Sequence, residues 1–454
     1  MAEPLALNQL PTLPLTIQSA AGPIELQTSL RFLPGKRLVG KASFQGRPAL
    51  LKLITDSRQG RRLLLKEQTG HQLAAGAGLT LPAIEFVSEA ADGSLLIAYE
   101  WLPEARAFAE SDLQDAGHCQ QLIELMAKLH QAGLIHDDLH VDNLLFSAGA
   151  LYLVDYAAIK RLSDKTLAVT PSLNNLALLM VQFTDAGQQR LKQYFADYCA
   201  LRQWPLTDEL TADFDKAVAK AWQKRQRAYL KKCFRDCTMT AYQHNFQRES
   251  AFRREFLVTM GNDFIGQLDQ LIADGELLKD GNSATVAKVA LAGQTVVIKR
   301  FNIKSFGHFL KRCWRLSRAA NAWHYGRLLE LIGLPTPKVL GFVEKRFGPL
   351  RREAYLISEW AEAQELASYF QDAPPEGKMT RQIDEIFALL KRYRLHHGDL
   401  KASNLLIDVS GQIQLIDLDA MRQINNKKRF LVCYRQDLER FQRNWQNQSG
   451  IEKK

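Results

Sequence analysis

Two ten-residue stretches hold the residue types best suited to chemistry. His136-Asp137-Asp138-Leu139-His140-Val141-Asp142-Asn143-Leu144-Leu145 and His397-Gly398-Asp399-Leu400-Lys401-Ala402-Ser403-Asn404-Leu405-Leu406 share the pattern H-x-D-L-x-x-x-N-L-L. A carboxylate followed five residues later by an amide suits phosphoryl transfer, in which the Asp accepts the proton of an attacking hydroxyl and the Asn helps hold a divalent cation. That reaction needs two more parts, a lysine for nucleotide phosphates and a second metal carboxylate. Each half supplies both. Lys52 stands in the apolar run Ala49-Leu50-Leu51-Lys52-Leu53 and Lys299 in Val296-Val297-Ile298-Lys299, while Asp155 and Asp417 follow Asp138 and Asp399 by 17 and 18 residues.

Taken singly, a strand lysine is ordinarily an edge charge and a lone Asp a turn residue. Here the order repeats, and so do the elements that must position these groups. Leu122, Leu125, Met126 and Leu129, and again Ile383, Ile386, Phe387 and Leu390, recur at i, i+3, i+4 and i+7, which predicts an amphipathic helix ahead of each loop. Behind each loop a short hairpin is expected: Leu144 to Phe146 with Leu151 to Val154, and Leu405 to Ile407 with Ile413 to Ile416. Between lysine and loop each half has a strand ending in an acid and a tryptophan, Glu100-Trp101 and Glu359-Trp360. The predicted division is a leader segment over 1–29, a first domain over 30–245, a joining helical segment over 246–270 and a second domain over 271–454.

Composition narrows the partners. The chain of 454 residues is 46% hydrophobic and 24% charged with a formal charge of +10, which favours anionic partners. Two runs concentrate that charge: Lys299, Arg300, Lys304, Lys311, Arg312, Arg315 and Arg318, and Lys224, Arg225, Arg227, Lys231, Lys232 and Arg235. No nucleic-acid-binding motif accompanies them, and no nucleic acid is expected. The six cysteines, Cys119, Cys199, Cys233, Cys237, Cys313 and Cys433, form no C-x-x-C pair and read as reduced thiols of a cytosolic protein. Neither a secretory signal nor a run of about 20 apolar residues is present.

The chain resembles the protein-kinase-like superfamily, whose catalytic loop reads H-x-D-L-x-x-x-N and whose metal aspartate follows a short hairpin. The resemblance implies an α+β fold of two tandem bilobal domains, each a small antiparallel-sheet N-lobe over a mainly helical C-lobe. It implies ATP and Mg²⁺ as cofactors, Lys52 and Lys299 on the ATP phosphates, Asp138 and Asp399 as catalytic bases, and Asn143, Asp155, Asn404 and Asp417 as metal ligands. His136 and His397 would be structural anchors, and the backbones of Trp101 and Trp360 would face adenine. Glu67 is the candidate helix partner of Lys52. The second half has no acid in the corresponding helix, Arg318 to Tyr325, and Glu330 is too near its end. Neither half has G-x-G-x-x-G; Asn282, Ser283 and Thr285 are the candidates to cradle phosphate through backbone N–H groups.

Within that superfamily the second half is similar to the lipopolysaccharide core kinases. The likeness rests on H-G-D-L-K-x-x-N-L-L, on Ile416-Asp417-Leu418-Asp419 in place of D-F-G, on Gly333-Leu334-Pro335-Thr336-Pro337 and on Arg435-Gln436-Asp437-Leu438-Glu439-Arg440-Phe441. It implies phosphorylation of a Kdo or heptose hydroxyl in a lipid A-core precursor, by a cytoplasmic protein attached reversibly to the inner membrane. Two alternatives stand beside it: a tandem pseudokinase that binds nucleotide or glycolipid as a scaffold, and a small-molecule phosphotransferase of the aminoglycoside or choline kinase type.

Overall fold

The computed structural model describes residues 7, 9–302, 316–370 and 376–446. It is a mixed α and β structure whose sheets are antiparallel, and it divides into two compact units, Met1–Trp222 and Gln223–Lys454. The long helix Asp208–Lys232 runs through that division.

In the first unit a six-stranded sheet has the order Leu15–Ser19, Gly22–Leu33, Arg37–Phe44, Arg47–Ile54, Leu95–Glu100, Ile84–Glu89. Alternation along Arg47–Ile54 sends Leu51 and Leu53 into one core with Leu38 and Leu96, and turns Lys52 to the other face in register with Val39 and Ile97. The helix Arg58–Gly76 follows, capped by the Ser57 hydroxyl accepting from Gly60 N at 2.9 Å. The helix Ala116–Gln131 buries Leu122, Leu125, Met126 and Leu129, as its periodicity requires, and leads to the catalytic-type loop and the hairpin Leu144–Ser147/Ala150–Leu153. The segment assigned above to a leader is part of the fold instead: Leu15–Ser19 and Gly22–Leu33 are sheet strands with Ile17, Ile24 and Leu26 buried. Their polar alternate positions face outward, which lowers the apolar density that a sequence scan detects.

The second unit has a seven-stranded sheet, ordered Thr240–His244, Arg248–Arg253, Val339–Phe347, Leu350–Glu359, Gln294–Phe301, Ala284–Leu291, Glu276–Gly281. The joining helix expected over 246–270 is therefore corrected. Residues 248–253 are a strand, buried at Glu249 through Arg253, and only Arg254–Met260 and Leu268–Asp274 are helices. The strand is masked in the sequence because its charges are internal: Glu249 pairs with Arg346 on the neighbouring strand, so a polar segment lies in a core. One sheet face carries Phe256, Phe264, Leu268 and Ile272; the other packs the helix Arg318–Ile332 through Trp323, whose Nε1 donates to the Cys233 carbonyl at 3.0 Å. The helix Lys378–Arg392 buries Ile383, Ile386, Phe387 and Leu390, and the unit closes with the helix Lys427–Gln446.

Candidate active site

In the first unit Lys52 is nearly buried and donates to Glu67 Oε1 at 2.7 Å; the Tyr99 hydroxyl donates to Glu67 Oε2 at 3.0 Å. Glu67 is fully buried, so both its oxygens are matched. Burial, and then the Glu67 charge, push the Tyr99 hydroxyl far above its ordinary pKa, which keeps it a donor. The helix carrying Glu67 reaches this depth through Gly70, where a Cβ would stand 1.9 Å from the Tyr156 carbonyl oxygen. His71 meets the Tyr156 ring edge-on at 4.8 Å. Asp155, just before Tyr156, adopts a left-handed backbone at φ +66° and places a carboxylate oxygen 3.9 Å from Lys52 Nζ. Asn143 Nδ2 donates to the Asp138 carbonyl at 3.0 Å, and Asp138 itself is exposed.

The second unit assembles the same set with its charges rearranged. Lys299 lies against Asp417 and at 3.2 Å from Asp419 Oδ2, and Arg318 Nη2 donates to that same Asp419 oxygen at 2.6 Å. Asn321 Nδ2 donates to the Asp419 and Met421 carbonyls at 3.0 and 3.1 Å, tying the helix to the loop. Arg318 precedes Asn321 by the three residues that separate Glu67 from Gly70. The helix thus contributes a cation where its counterpart contributes an acid, and the acid has moved to the loop. This answers the missing helix glutamate; Glu330 pairs instead with Arg253 and Arg327. Although burial raises the Asp417 carboxyl, the Lys299 ammonium outweighs it and holds the group below the ordinary carboxylate range. Asp417 repeats the left-handed backbone of Asp155, at φ +62°.

Both loops are hung from below. His136 and His397 donate through Nε2 to the carbonyls of Asp155 and Ile416 at 3.2 and 2.9 Å, and burial lowers the pKa of both, so they are neutral anchors. In the second unit the buried Asp437 accepts from His397 N at 2.7 Å, Gly398 N at 3.1 Å and His396 Nδ1 at 2.9 Å. In the first, Asn175 does the work: it donates to the His136 carbonyl at 2.9 Å and accepts from His130 Nε2 at 3.1 Å.

Lys299, Asn404, Asp417 and Asp419 line one pocket of about 480 Å³, walled by Val286, Val297, Leu406 and Ile416 and closed at one end by Glu359-Trp360-Ala361. Asn404 Nδ2 is committed to the Asp399 carbonyl at 2.7 Å, which leaves its Oδ1 for a cation. The Asp399 carboxylate is not among the lining residues but lies 3.6 Å from Nζ of the lining residue Lys401 and 3.3 Å from Arg440 Nη1. Not every residue expected here arrives. Asn282 and Ser283 form a two-residue turn between paired strands and are not among the residues lining this pocket, and Thr285, in register with Arg300, is buried with its hydroxyl donating to Asp280 at 3.2 Å. Val286, not Thr285, shares the Lys299 face. Each tryptophan lies beneath a lysine, Trp101 under Lys41 at 5.0 Å and Trp360 under Lys288 at 4.6 Å. Among the described residues no three His, Cys, Asp or Glu converge as a metal cluster, and the five cysteines there are free. Lys304, Lys311, Arg312 and Arg315 of the first basic run, and Cys313, lie outside the described residues.

This geometry sets an amide, two carboxylates and a lysine around one pocket, with Asp399 beside two of its lining residues. Residues 304–454 match the model of the lipopolysaccharide kinase (Kdo/WaaP) family. The chain is similar to the 3-deoxy-D-manno-octulosonic acid kinases of Xylella fastidiosa, 34% identical over 104 residues to that of strain M12 and 33% over 104 residues to that of strain 9a5c. Each match covers 22% of this chain and 41% of the relative, so the chain spans less than half the length of these relatives.

Proposed function

We propose that this protein is an ATP- and Mg²⁺-dependent kinase that phosphorylates a Kdo or heptose hydroxyl of the lipopolysaccharide inner core, through two tandem bilobal kinase-like units. The observation that carries the reading is the convergence of Lys299, Asn404 and Asp417 on one pocket, with Asp399 against the lining residues Asn404 and Lys401, and all but Lys299 within the stretch that matches the lipopolysaccharide kinase family. The pocket has the volume of a nucleotide site, with apolar walls for a base and polar groups at one end. Asn404 and Asp417 would hold Mg²⁺, the remaining ligands being phosphate oxygens and water, as this cation prefers. Bound there, Mg²⁺ supplies neutralisation of charge on the transferring phosphate. Lys299 would grip the phosphates, with Asp419, itself held by Arg318, as its second acid beside Asp417. Asp399 takes the proton of the acceptor hydroxyl.

Lys52, Glu67, Asn143, Asp155 and Asp138 form the corresponding set of the first unit. Its orthodox Lys52–Glu67 pair favours nucleotide binding. Among the described residues no helix is long and apolar enough to cross a membrane. Action at the cytoplasmic face of the inner membrane, held by exposed cations such as Lys224, Arg227, Lys231 and Lys232, fits a lipid-linked acceptor. The test is transfer of labelled phosphate from ATP to purified core oligosaccharide by the full chain, with Asp138→Asn and Asp399→Asn. Each substitution should lower formation of one phosphorylated product by about 10²- to 10⁴-fold, and the double variant should form neither. Unchanged phosphate incorporation by the double variant would refute the proposal.

A further inference from the structure

Two hairpin turns stand side by side at one end of the seven-stranded sheet. One joins Thr240–His244 to Arg248–Arg253, the other joins Val339–Phe347 to Leu350–Glu359, and the inner strands of the two hairpins are paired, Arg248 opposite Lys345. Each turn presents a phenylalanine to solvent. Phe246 is 60% exposed and Phe347 is 63% exposed, yet their rings meet edge-on with centroids 5.0 Å apart. Single exposed apolar residues are ordinary, but a packed pair at a tip is not.

The pair is built, not incidental. Gly348 N donates to the Phe246 carbonyl at 2.8 Å and Arg346 N to the Gln247 carbonyl at 2.7 Å, so the two turns are stitched backbone to backbone. Gly348 has φ +58°, and a Cβ there would stand 3.0 Å from the Phe246 ring, so both its backbone and its lack of a side chain are used. Behind the tips, Arg346 reaches Glu249 and Arg351 reaches Glu344 at 3.2 Å, a buried charge network that stiffens the base of the wedge. Neither turn segment, 243–248 or 345–352, contains an acid; of the flanking acids Glu249 and Glu344 are buried and Glu353 is half-buried, while Lys345, Arg352 and His244 are exposed. Lys345 also contacts Asp269 at 3.0 Å.

The wedge is also well placed. Ala284, Phe301 and Ala354 share a rung at the end of the sheet where the Asn282-Ser283 turn lies. The strands holding Phe347 run on past that rung through residues 350–353, roughly 13 Å at strand rise. A flat surface touched by the tips would therefore face the same end of the sheet as the Asn282-Ser283 turn.

Exposed apolar rings with Lys345 and Arg352 close by in the chain match the interface of an anionic bilayer, where rings enter the headgroup layer and cations meet lipid phosphates. We propose that Phe246 and Phe347 form a wedge that inserts into an anionic membrane and docks the second unit on the surface that holds its acceptor. This rests on the reading of the acceptor as a lipid-linked sugar.

The full chain would be sedimented with phosphatidylcholine vesicles and with phosphatidylethanolamine–phosphatidylglycerol vesicles. Binding should favour the anionic vesicles and fall at least about tenfold in Phe246→Ser/Phe347→Ser, with the melting temperature unchanged, whereas Phe246→Trp/Phe347→Trp should retain it. Free glycerol phosphate should not compete. Equal vesicle binding by the Ser and native proteins, no vesicle binding by the native protein, or displacement by free phosphate would each overturn the wedge. Phosphorylation separates this from the kinase reading: the Ser variant should act normally on soluble core oligosaccharide and poorly on vesicle-embedded acceptor. Inactivity of the native protein on both acceptors would sink the kinase reading while leaving the vesicle result to decide the wedge.

Discussion

Lys52 and Lys299 occupy the same place on equivalent strands and are held in opposite ways. Lys52 is bound to an acid from a helix, fully buried and shared with Tyr99, and stands 3.9 Å from Asp155. Lys299 leans directly on Asp417, with Asp419 as its second acid and Arg318 behind it. In the first unit Asp155 is the more distant acid of the lysine. In the second, the proposed metal would have to share Asp417 with Lys299, so on that proposal nucleotide and metal would bind there as one event. A strand lysine can thus be fixed from the helix or from the loop, provided the opposite element is recharged to match.

The sharpest way to break this comparison is to remove each acid. Glu67→Ala leaves the nearly buried Lys52 and the Tyr99 hydroxyl without their partner and should destabilise the first unit by about 3–5 kcal/mol in urea unfolding. Asp419→Ala leaves Lys299 its Asp417 and leaves Arg318 partly in water; its cost should be about 1–2 kcal/mol. Equal losses would mean that the two acids are not alternatives.

Next in size is a pH effect confined to the first unit. Burial, aided by Arg202 and opposed by the Asn175 hydrogen bond, pushes His130 down to about 4. Its unfolded form takes a proton below about pH 6.5. Stability should therefore be complete above pH 6.5, fall as pH drops from 6.5 toward 4, and level off below. His130→Gln should flatten that limb in thermal melts across the range.

The smallest effect concerns the residues beneath the loops. Burial opposes ionisation of Asp437, but His396 and the backbone N–H of His397 hold its carboxyl below the ordinary range. Its contribution is present above the usual carboxylate pKa and lost as pH falls through the lowered value. Asp437→Asn, which copies Asn175, should cost about 1–2 kcal/mol near neutrality and remove this acid limb. A variant as stable as the native protein would show that the charge at this position is dispensable.

The catalytic-type loops, lysine strands and hairpins were legible because each is a local pattern of period 2 or 3.6 with a polar residue at a fixed offset. Asp419 was visible in Ile416-Asp417-Leu418-Asp419, but its partners Lys299 and Arg318 are 120 and 101 residues away, and no spacing rule joins them. The register that pairs Val286 with Lys299 sends the Thr285 side chain to the opposite face, which follows from strand pairing and not from any local residue type. The strands at 15–33 and 240–253 stayed hidden because half their positions are polar or paired internally. The relay from His130 to Tyr198 and Arg202 spans helices distant in sequence, and left no local sign.

The order of the seven-stranded sheet bears on how this protein can be divided. The match to the lipopolysaccharide kinase family begins at residue 304, after five of the seven strands have already been laid down. A polypeptide trimmed to that stretch would keep only Val339–Phe347 and Leu350–Glu359, each stripped of its outer neighbour. It would expose two bare ladder edges and leave the Trp323 indole without the Cys233 carbonyl. Bare edges recruit other chains. The stretch by which the protein is recognised is therefore shorter than the stretch that can fold, and a fragment meant to stay monomeric must reach back to the helix before Thr240.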